Sequence, residues 1–466
     1  MSTTTTPLWH LAASELADAI RRRSISSREA VQSHLDRIEA VNGAVNAVTT
    51  TLAEDALAAA DAADAQLAAG AEVGPLHGVP FTVKENIDVA GSATTWGAAF
   101  LAQQIASEDA PHVANLRAAG GIPIARTNMP DFALRWDTDS GIAGRTKNPW
   151  DAGLTAGGSS GGEAAAIATG MTPLGVGNDL GGSLRWPAQC CGISSLKPTL
   201  GRVPDAAVTI PTDPTMGISF FNVQGPLARR VADLRVAFEA MTRSSDRDPK
   251  YVSPAPTAAT RLPRVAVVRD PGGLGVHPDV AAAVDRAARA LAAAGYDVED
   301  REPPEVMTCL QGWSALLAAD LQVLEPLIVP LMSPDTKAFL DLASAGLPKP
   351  EAALIEEAFG NRHRLLREWA LFQREHALVL APIGTQPAFA AESDLDPDGA
   401  EAGLMAMRMV VTVNFLGLPA AAVAIPGTPL PSAVQIIGRR FREDLCLDAA
   451  EAVEREVGAP SPIDPR

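Results

Sequence analysis

Apolar positions in the first seventy residues recur at helical spacing. Ser26, followed three residues later by Glu29, fits a capping box ahead of Val31, Leu35 and Ile38, which share one helix face. An alanine-rich stretch, 52–69, predicts a further helix that stops at Gly70. From Gly74 the texture changes to short apolar runs with glycine and proline between them: HGVPFTVKENIDVAG, GGIPIARTNMP and TPLGVGNDLGGS. These read as strands buried on both faces, alternating with loops and helices, so the pattern predicts an α/β fold. Residues 244–262 are polar and carry prolines, as a surface connection would. RVAVVRD (264–270), a helix over about 278–294 and YDVED (296–300) then form a strand, helix, strand unit. Residues 305–378 are mainly helical in pattern. The uncharged segment 409–438 is interrupted by Asn414, Gly417, Pro419, Pro426, Pro429, Pro431 and Gln435, so MVVTV, AAAVAI and SAVQII are expected as buried strands, not as a membrane span.

Composition narrows the class. With 47% apolar and 20% charged residues, a chain of 466 residues can bury a large core and does not read as disordered. Its 38 basic and 55 acidic residues leave a net charge of −17, which disfavours a nucleic-acid partner because phosphate contact needs a basic face. The four cysteines, Cys190, Cys191, Cys309 and Cys446, show no CxxC and no Cys/His ligand spacing. A reduced, metal-free cytoplasmic protein with no cofactor is therefore the expectation. The N-terminus has neither a basic nor an apolar leader region, and Glu15 and Asp18 lie close behind it; no signal peptide is expected.

The chemistry concentrates in residues 155–192, TAGGSSGGEAAAIATGMTPLGVGNDLGGSLRWPAQCCG. Gly157-Gly158-Ser159-Ser160 opens an alanine-rich helix that ends near Gly170, and Gly181-Gly182-Ser183 follows a strand. Glycines ahead of a serine let consecutive N–H groups turn inward and form a nest for an anion, either a phosphate or an oxyanion. A phosphate loop would carry GxxxxGK[ST]; no lysine follows either turn, and Glu163 stands in the helix instead. If Ser183 is a nucleophile its proton needs an acceptor, yet no histidine lies in this segment and no GxSxG occurs. Lys84, at the end of the apolar strand PFTVK, is the candidate base. To be neutral at pH 7 it needs a downward shift of about three pKa units, equivalent to ~4 kcal/mol, which burial can supply.

The run GGSSGGEAAAIATGMTPLGVGNDLGGSLRWPAQCCG resembles the signature of the amidase signature family, serine hydrolases that cleave carbon–nitrogen bonds with a Ser-Ser-Lys triad. The resemblance extends over most of the chain, through HGVPFTVKENIDV, RTNMPDFA, GRTKNPWD, SLKPTLGRVP, GPLARRVADL, NFLGLPA and VQIIGRRF. It implies one large domain, 1–466, with a central mixed sheet covered by helices on both faces. Within it, 1–70 would be N-terminal helices, 74–235 the catalytic core, 236–378 a variable and mostly helical region, and 379–466 strands returning to the sheet before a final helix. It implies Ser183 as nucleophile, Ser159 as bridging serine after a cis peptide, and Lys84 as base. The backbone N–H groups of Leu180, Gly181, Gly182 and Ser183 would form the oxyanion hole, with Asp179 and Arg185 holding that loop.

Three positions depart from the family pattern: Asn178 where threonine or serine is usual, Cys190 where a larger apolar residue is common, and Ser195 in place of a frequent glycine. Arg135 and Trp136 stand where small residues are frequent. Phe132 and Trp136, with Leu134, Trp186, Phe220 and Phe221, are candidate pocket walls, and they point to a neutral, largely apolar acyl amide, with anilides, esters and carbamates as side activities. Arg135 could instead clamp a substrate carboxylate. The expected function is amide hydrolysis through a covalent acyl-enzyme; the alternatives are an inactive ligand-binding protein on the same fold and a tRNA-dependent amidotransferase subunit. The expected partner is a small amide, with no nucleic acid and no membrane, and with a homodimer left open.

Overall fold

The computed structural model describes residues 6–209, 213–255 and 262–466. The capping box forms as read: Glu29 N–H donates to Ser26 Oγ at 3.1 Å and Ser26 N–H to the Glu29 carboxylate at 2.7 Å, opening the helix Ser27–Val45. The first seventy residues are not all helical, however. After Asn46 ends that helix in a left-handed conformation (φ 55°), the β-branched run Val48–Thr51 forms strand β1 before the helix Ala53–Ala68 begins. Four residues between two helices are too few to show a period of two.

The other strands are β2 (Pro80–Lys84), β3 (Ile122–Thr127), the short pair β4 (Asp139–Ser140) and β5 (Gly144–Arg145), then β6 (Leu174–Asp179), β7 (Ser194–Lys197) and β8 (Val223–Ala228). They continue with β9 (Arg264–Val267), β10 (Asp297–Asp300), β11 (Leu378–Pro382), β12 (Ala420–Ala424) and β13 (Ala433–Gly438). β4 and β5 pair only with each other. The rest make one mixed sheet of eleven strands in the order β1-β3-β2-β6-β8-β7-β12-β13-β11-β9-β10. This is the single α/β domain with a mixed sheet that the sequence implied.

Helices cover both faces, and the strands alternate accordingly. Val379 and Ala381 of β11 join one core while Leu378 and Leu380 join the other; Ala420 and Ala422 of β12 divide in the same way from Ala421 and Val423. One expected strand is absent: MVVTV lies in the helix Arg408–Leu416, although AAAVAI and SAVQII do supply β12 and β13. A short β-branched apolar run is compatible with either state, and here all nine residues of the helix are buried, so packing decided. The 244–262 connection has no helix or strand from 244 to 255; residues 256–261 lie outside the described residues.

The sheet also assembles the site. β2 and β6 are parallel neighbours in the register Val83↔Val176, so their carboxyl ends bring Lys84 close to Asn178 and Asp179. Ligands of α/β sheets bind at that edge.

Candidate active site

Lys84 closes a strand whose five residues are all buried, and it has no exposed surface itself. Its Nζ lies 2.7 Å from Ser159 Oγ and 2.7 Å from Asn178 Oδ1. No carboxylate among the described residues forms an ion pair with it. Burial therefore dominates and lowers its pKa from 10.5 to about 7, against the opposing pull of the more distant Asp179 and Glu163 carboxylates. Asn178 Nδ2 donates to Asn86 Oδ1 at 3.0 Å, which fixes the amide with its oxygen toward the lysine.

Ser159 follows the cis peptide Gly158–Ser159 and is fully buried. Behind it, Glu163 on the helix Gly161–Ala168 accepts from Thr82 Oγ1 at 2.6 Å and Thr127 Oγ1 at 2.8 Å. Burial pushes its carboxyl up to about 7. Ser183 lies on the loop leaving β6 and keeps 7% of its surface, whereas Ser159 and Lys84 keep none. Of the three, Ser183 is the one a substrate can reach.

The loop is held from below. Asp179 and Arg185, both buried, pair through Nε–Oδ2 and Nη2–Oδ1 contacts of 3.0 Å each. Burial alone would raise the Asp179 pKa, but the Arg185 charge and hydrogen bonds, Lys197 and Asn414 hold it well below the usual carboxylate range. Two residues with no role assigned from the sequence complete this cluster. Asn414 donates to Asp179 Oδ1 at 2.8 Å and accepts from Arg185 at 2.6 Å, and Gln435 Oε1 accepts from Arg185 at 2.8 Å. Both lie in stretches that carried the family resemblance, NFLGLPA and VQIIGRRF.

One expected oxyanion donor is already engaged: Gly182 N–H donates to Asp179 Oδ1 at 2.8 Å, in a backbone conformation (φ 103°) reserved for glycine. Among the described residues the N–H groups of Leu180, Gly181 and Ser183 have no acceptor. Three of the four expected donors are thus left unengaged. Asp179 claims the fourth because a buried carboxylate needs donors of its own.

The candidate pocket walls divide. Trp136 reaches the oxyanion loop, its Nε1 donating to the Gly181 carbonyl at 2.9 Å. Trp186 and Phe221 are fully buried supports: Trp186 packs on Phe389 at 4.7 Å, and Phe221 packs on Trp313 and Phe415. Phe220 packs at a tilt against Phe359, under the Arg362 guanidinium. Phe132 sits half-buried in a left-handed turn, and no hydrogen bond or ring contact among the described residues ties it to the catalytic loops. Arg135 is not free to clamp a substrate: Asp394 takes it at 2.9 Å through Nε and 2.7 Å through Nη2, with the arginine side chain wholly buried.

Comparison with known proteins places the whole chain. The Amidase family model matches residues 29–447. An indoleacetamide hydrolase of Bradyrhizobium diazoefficiens is 40% identical over 461 residues, covering 97% of this chain and 87% of that protein. A glutamyl-tRNA(Gln) amidotransferase subunit of Moorella thermoacetica is 32% identical, covering 96% of this chain and 97% of that protein. The crystal structure of a bacterial aryl acylamidase of the amidase signature family superposes with a TM-score of 0.84 at 25% identity, covering 97% of each chain. With the signature turns, the parallel β2–β6 edge and the family match spanning most of its length, the chain belongs to the amidase signature family and is a hydrolase of amide carbon–nitrogen bonds.

Proposed function

We propose that this amidohydrolase cleaves neutral, largely apolar acyl amides, arylacetamides such as indoleacetamide foremost, through an acyl-enzyme on Ser183. The observation that carries the reading is the 2.7 Å contact between buried Lys84 and buried Ser159 beneath a more exposed Ser183. Neutral Lys84 takes the Ser159 proton as Ser159 takes that of Ser183, and Ser183 Oγ attacks the acyl carbon. The tetrahedral oxyanion is met by the unengaged N–H groups of Leu180, Gly181 and Ser183. Its collapse breaks the C–N bond, and the relay returns a proton to the leaving amine. Water then attacks the acyl-serine, giving its proton to the same relay, which returns it to Ser183 Oγ as the ester C–O bond breaks and the carboxylic acid leaves.

The substrate class rests on two supports. Sealing of Arg135 by Asp394 removes the cation beside Trp136, and the Bradyrhizobium relative, at 40% identity, is an indoleacetamide hydrolase. A net charge of −17 further disfavours polyanionic substrates. The test is a panel of indoleacetamide, phenylacetamide, an anilide and a small carboxylate-bearing amide, run beside Ser183→Ala and fluorophosphonate mapping. Adduct at Ser183 and preference for the arylacetamides are expected. A more than tenfold preference for the charged amide, or labelling at Ser159 alone, overturns the reading. The likeness to a glutamyl-tRNA(Gln) amidotransferase favours a second one, in which the ammonia is passed to a partner; glutamine turnover exceeding that of arylacetamides would select it.

A further inference from the structure

Two tryptophans from distant segments hold the oxyanion loop by its carbonyl oxygens. Trp313, on the helix Val306–Ile328, donates its indole N–H to the Leu180 carbonyl at 3.2 Å, and Trp136 donates to the Gly181 carbonyl at 2.9 Å. The two rings stack on each other with centroids 6.4 Å apart and planes 22° apart. Each indole is itself braced. The Trp136 carbonyl accepts from the Trp186 indole at 3.1 Å, and Trp313 packs against Phe221. The loop approaches Trp313 so closely that a Cβ on Gly181 would lie 2.8 Å from the ring, which explains a glycine there.

A peptide unit is planar and trans, so its N–H points away from its C=O. Holding the Leu180 oxygen therefore aims the Gly181 N–H away from Trp313. Holding the Gly181 oxygen from one side while Asp179 takes the Gly182 N–H from the other locks the next unit at both ends. The Ser183 N–H belongs to the unit after that one, whose Gly182 carbonyl accepts from the Trp186 backbone N–H at 2.7 Å, so the tryptophans place it only through the locked Gly181–Gly182 unit that precedes it. Donation to a peptide oxygen also polarises the unit and strengthens its N–H as a donor.

We propose that Trp136 and Trp313 are positioning residues for the oxyanion hole, Trp313 setting the direction of the Gly181 N–H and Trp136 fixing the Gly181–Gly182 unit from which Ser183 continues, before substrate arrives. The inference rests on the reading of Ser183 as nucleophile and deepens it. The mainly helical region 305–378 then contributes to the chemical step through Trp313.

Trp136→Phe and Trp313→Phe keep a ring and delete one N–H each. Because an oxyanion hole acts on the transition state, each variant should lower kcat on an arylacetamide about tenfold while KM changes by less than about threefold. The rate of fluorophosphonate labelling at Ser183 should fall by a similar factor, since the phosphonyl oxygen uses the same donors. A variant with unchanged melting temperature and with kcat and labelling rate within twofold of wild type overturns the proposal. So does a rise in KM alone, which marks a pocket wall. If Trp313→Phe fails to fold, Trp136→Phe, at a half-buried position, decides the matter. Failure of the nucleophile reading is separate: wild-type protein would then label elsewhere, or Ser183→Ala would stay active, whatever the tryptophan variants do.

Discussion

Asn178, one of the three departures expected from the family pattern, addresses Lys84 directly, as Ser159 does. Its amide oxygen can only accept, so a neutral Lys84 must turn one N–H toward it, leaving the nitrogen lone pair for the Ser159 hydroxyl. The departure was visible in GNDLGGS, but its partner Asn86 was not, because the two meet only across neighbouring strand ends. In the proposed mechanism the neutral lysine is the active form, and burial lowers its pKa to about 7, so kcat/KM should rise with pH through about 7. Asn178→Asp places a carboxylate against Nζ, favours the charged lysine and should move that acid limb up by about one unit or more. A pH profile of kcat/KM checks this; a limb that stays in place means that Lys84 is not the titrating base.

At the scale of elements, the helix Arg408–Leu416 matters most, since it replaces an expected strand and delivers Asn414 beneath the oxyanion loop. A strand would send successive side chains to opposite faces. The helix instead aims Asn414 at Asp179 and Arg185 while burying Val410 and Val411 in the core. Asn414→Leu leaves both members of a buried ion pair short of one partner and should cost about 1–3 kcal/mol. Urea unfolding measures that loss, and slower labelling at Ser183 should accompany it. Full stability with unaltered labelling would remove Asn414 from the supporting cluster.

Across the whole molecule, the site is tied together by contacts between residues far apart in sequence. Arg185 reaches Gln435 across 250 positions, and Arg135 reaches Asp394 across 259. In the latter pair the arginine side chain is wholly buried and the aspartate 13% exposed, so Asp394→Ala strands a charge in the interior. The expected cost is on the order of 3 kcal/mol, read from the denaturant midpoint at unchanged slope. Double replacement of Arg135 and Asp394 by apolar residues should recover much of it, because the penalty lies in the unpaired ion and not in the loss of attraction. A single variant as stable as wild type would show that water still reaches Arg135.

Local chemistry was legible along the chain. The capping box at Ser26, the glycine turns before Ser159 and Ser183, and a lysine ending an apolar strand each follow from neighbours within a few residues, as does the alternation that announces an α/β sheet. What only the tertiary structure decided depends on surroundings supplied from elsewhere: burial of Lys84 deep enough to lower its pKa, capture of Arg135 by Asp394, engagement of the Gly182 N–H by Asp179, and the meeting of Trp136 with Trp313 over the oxyanion loop. Charge state and hydrogen-bond direction are set by whatever packs within a few ångströms. In a mixed sheet of eleven strands those neighbours come from opposite ends of the chain.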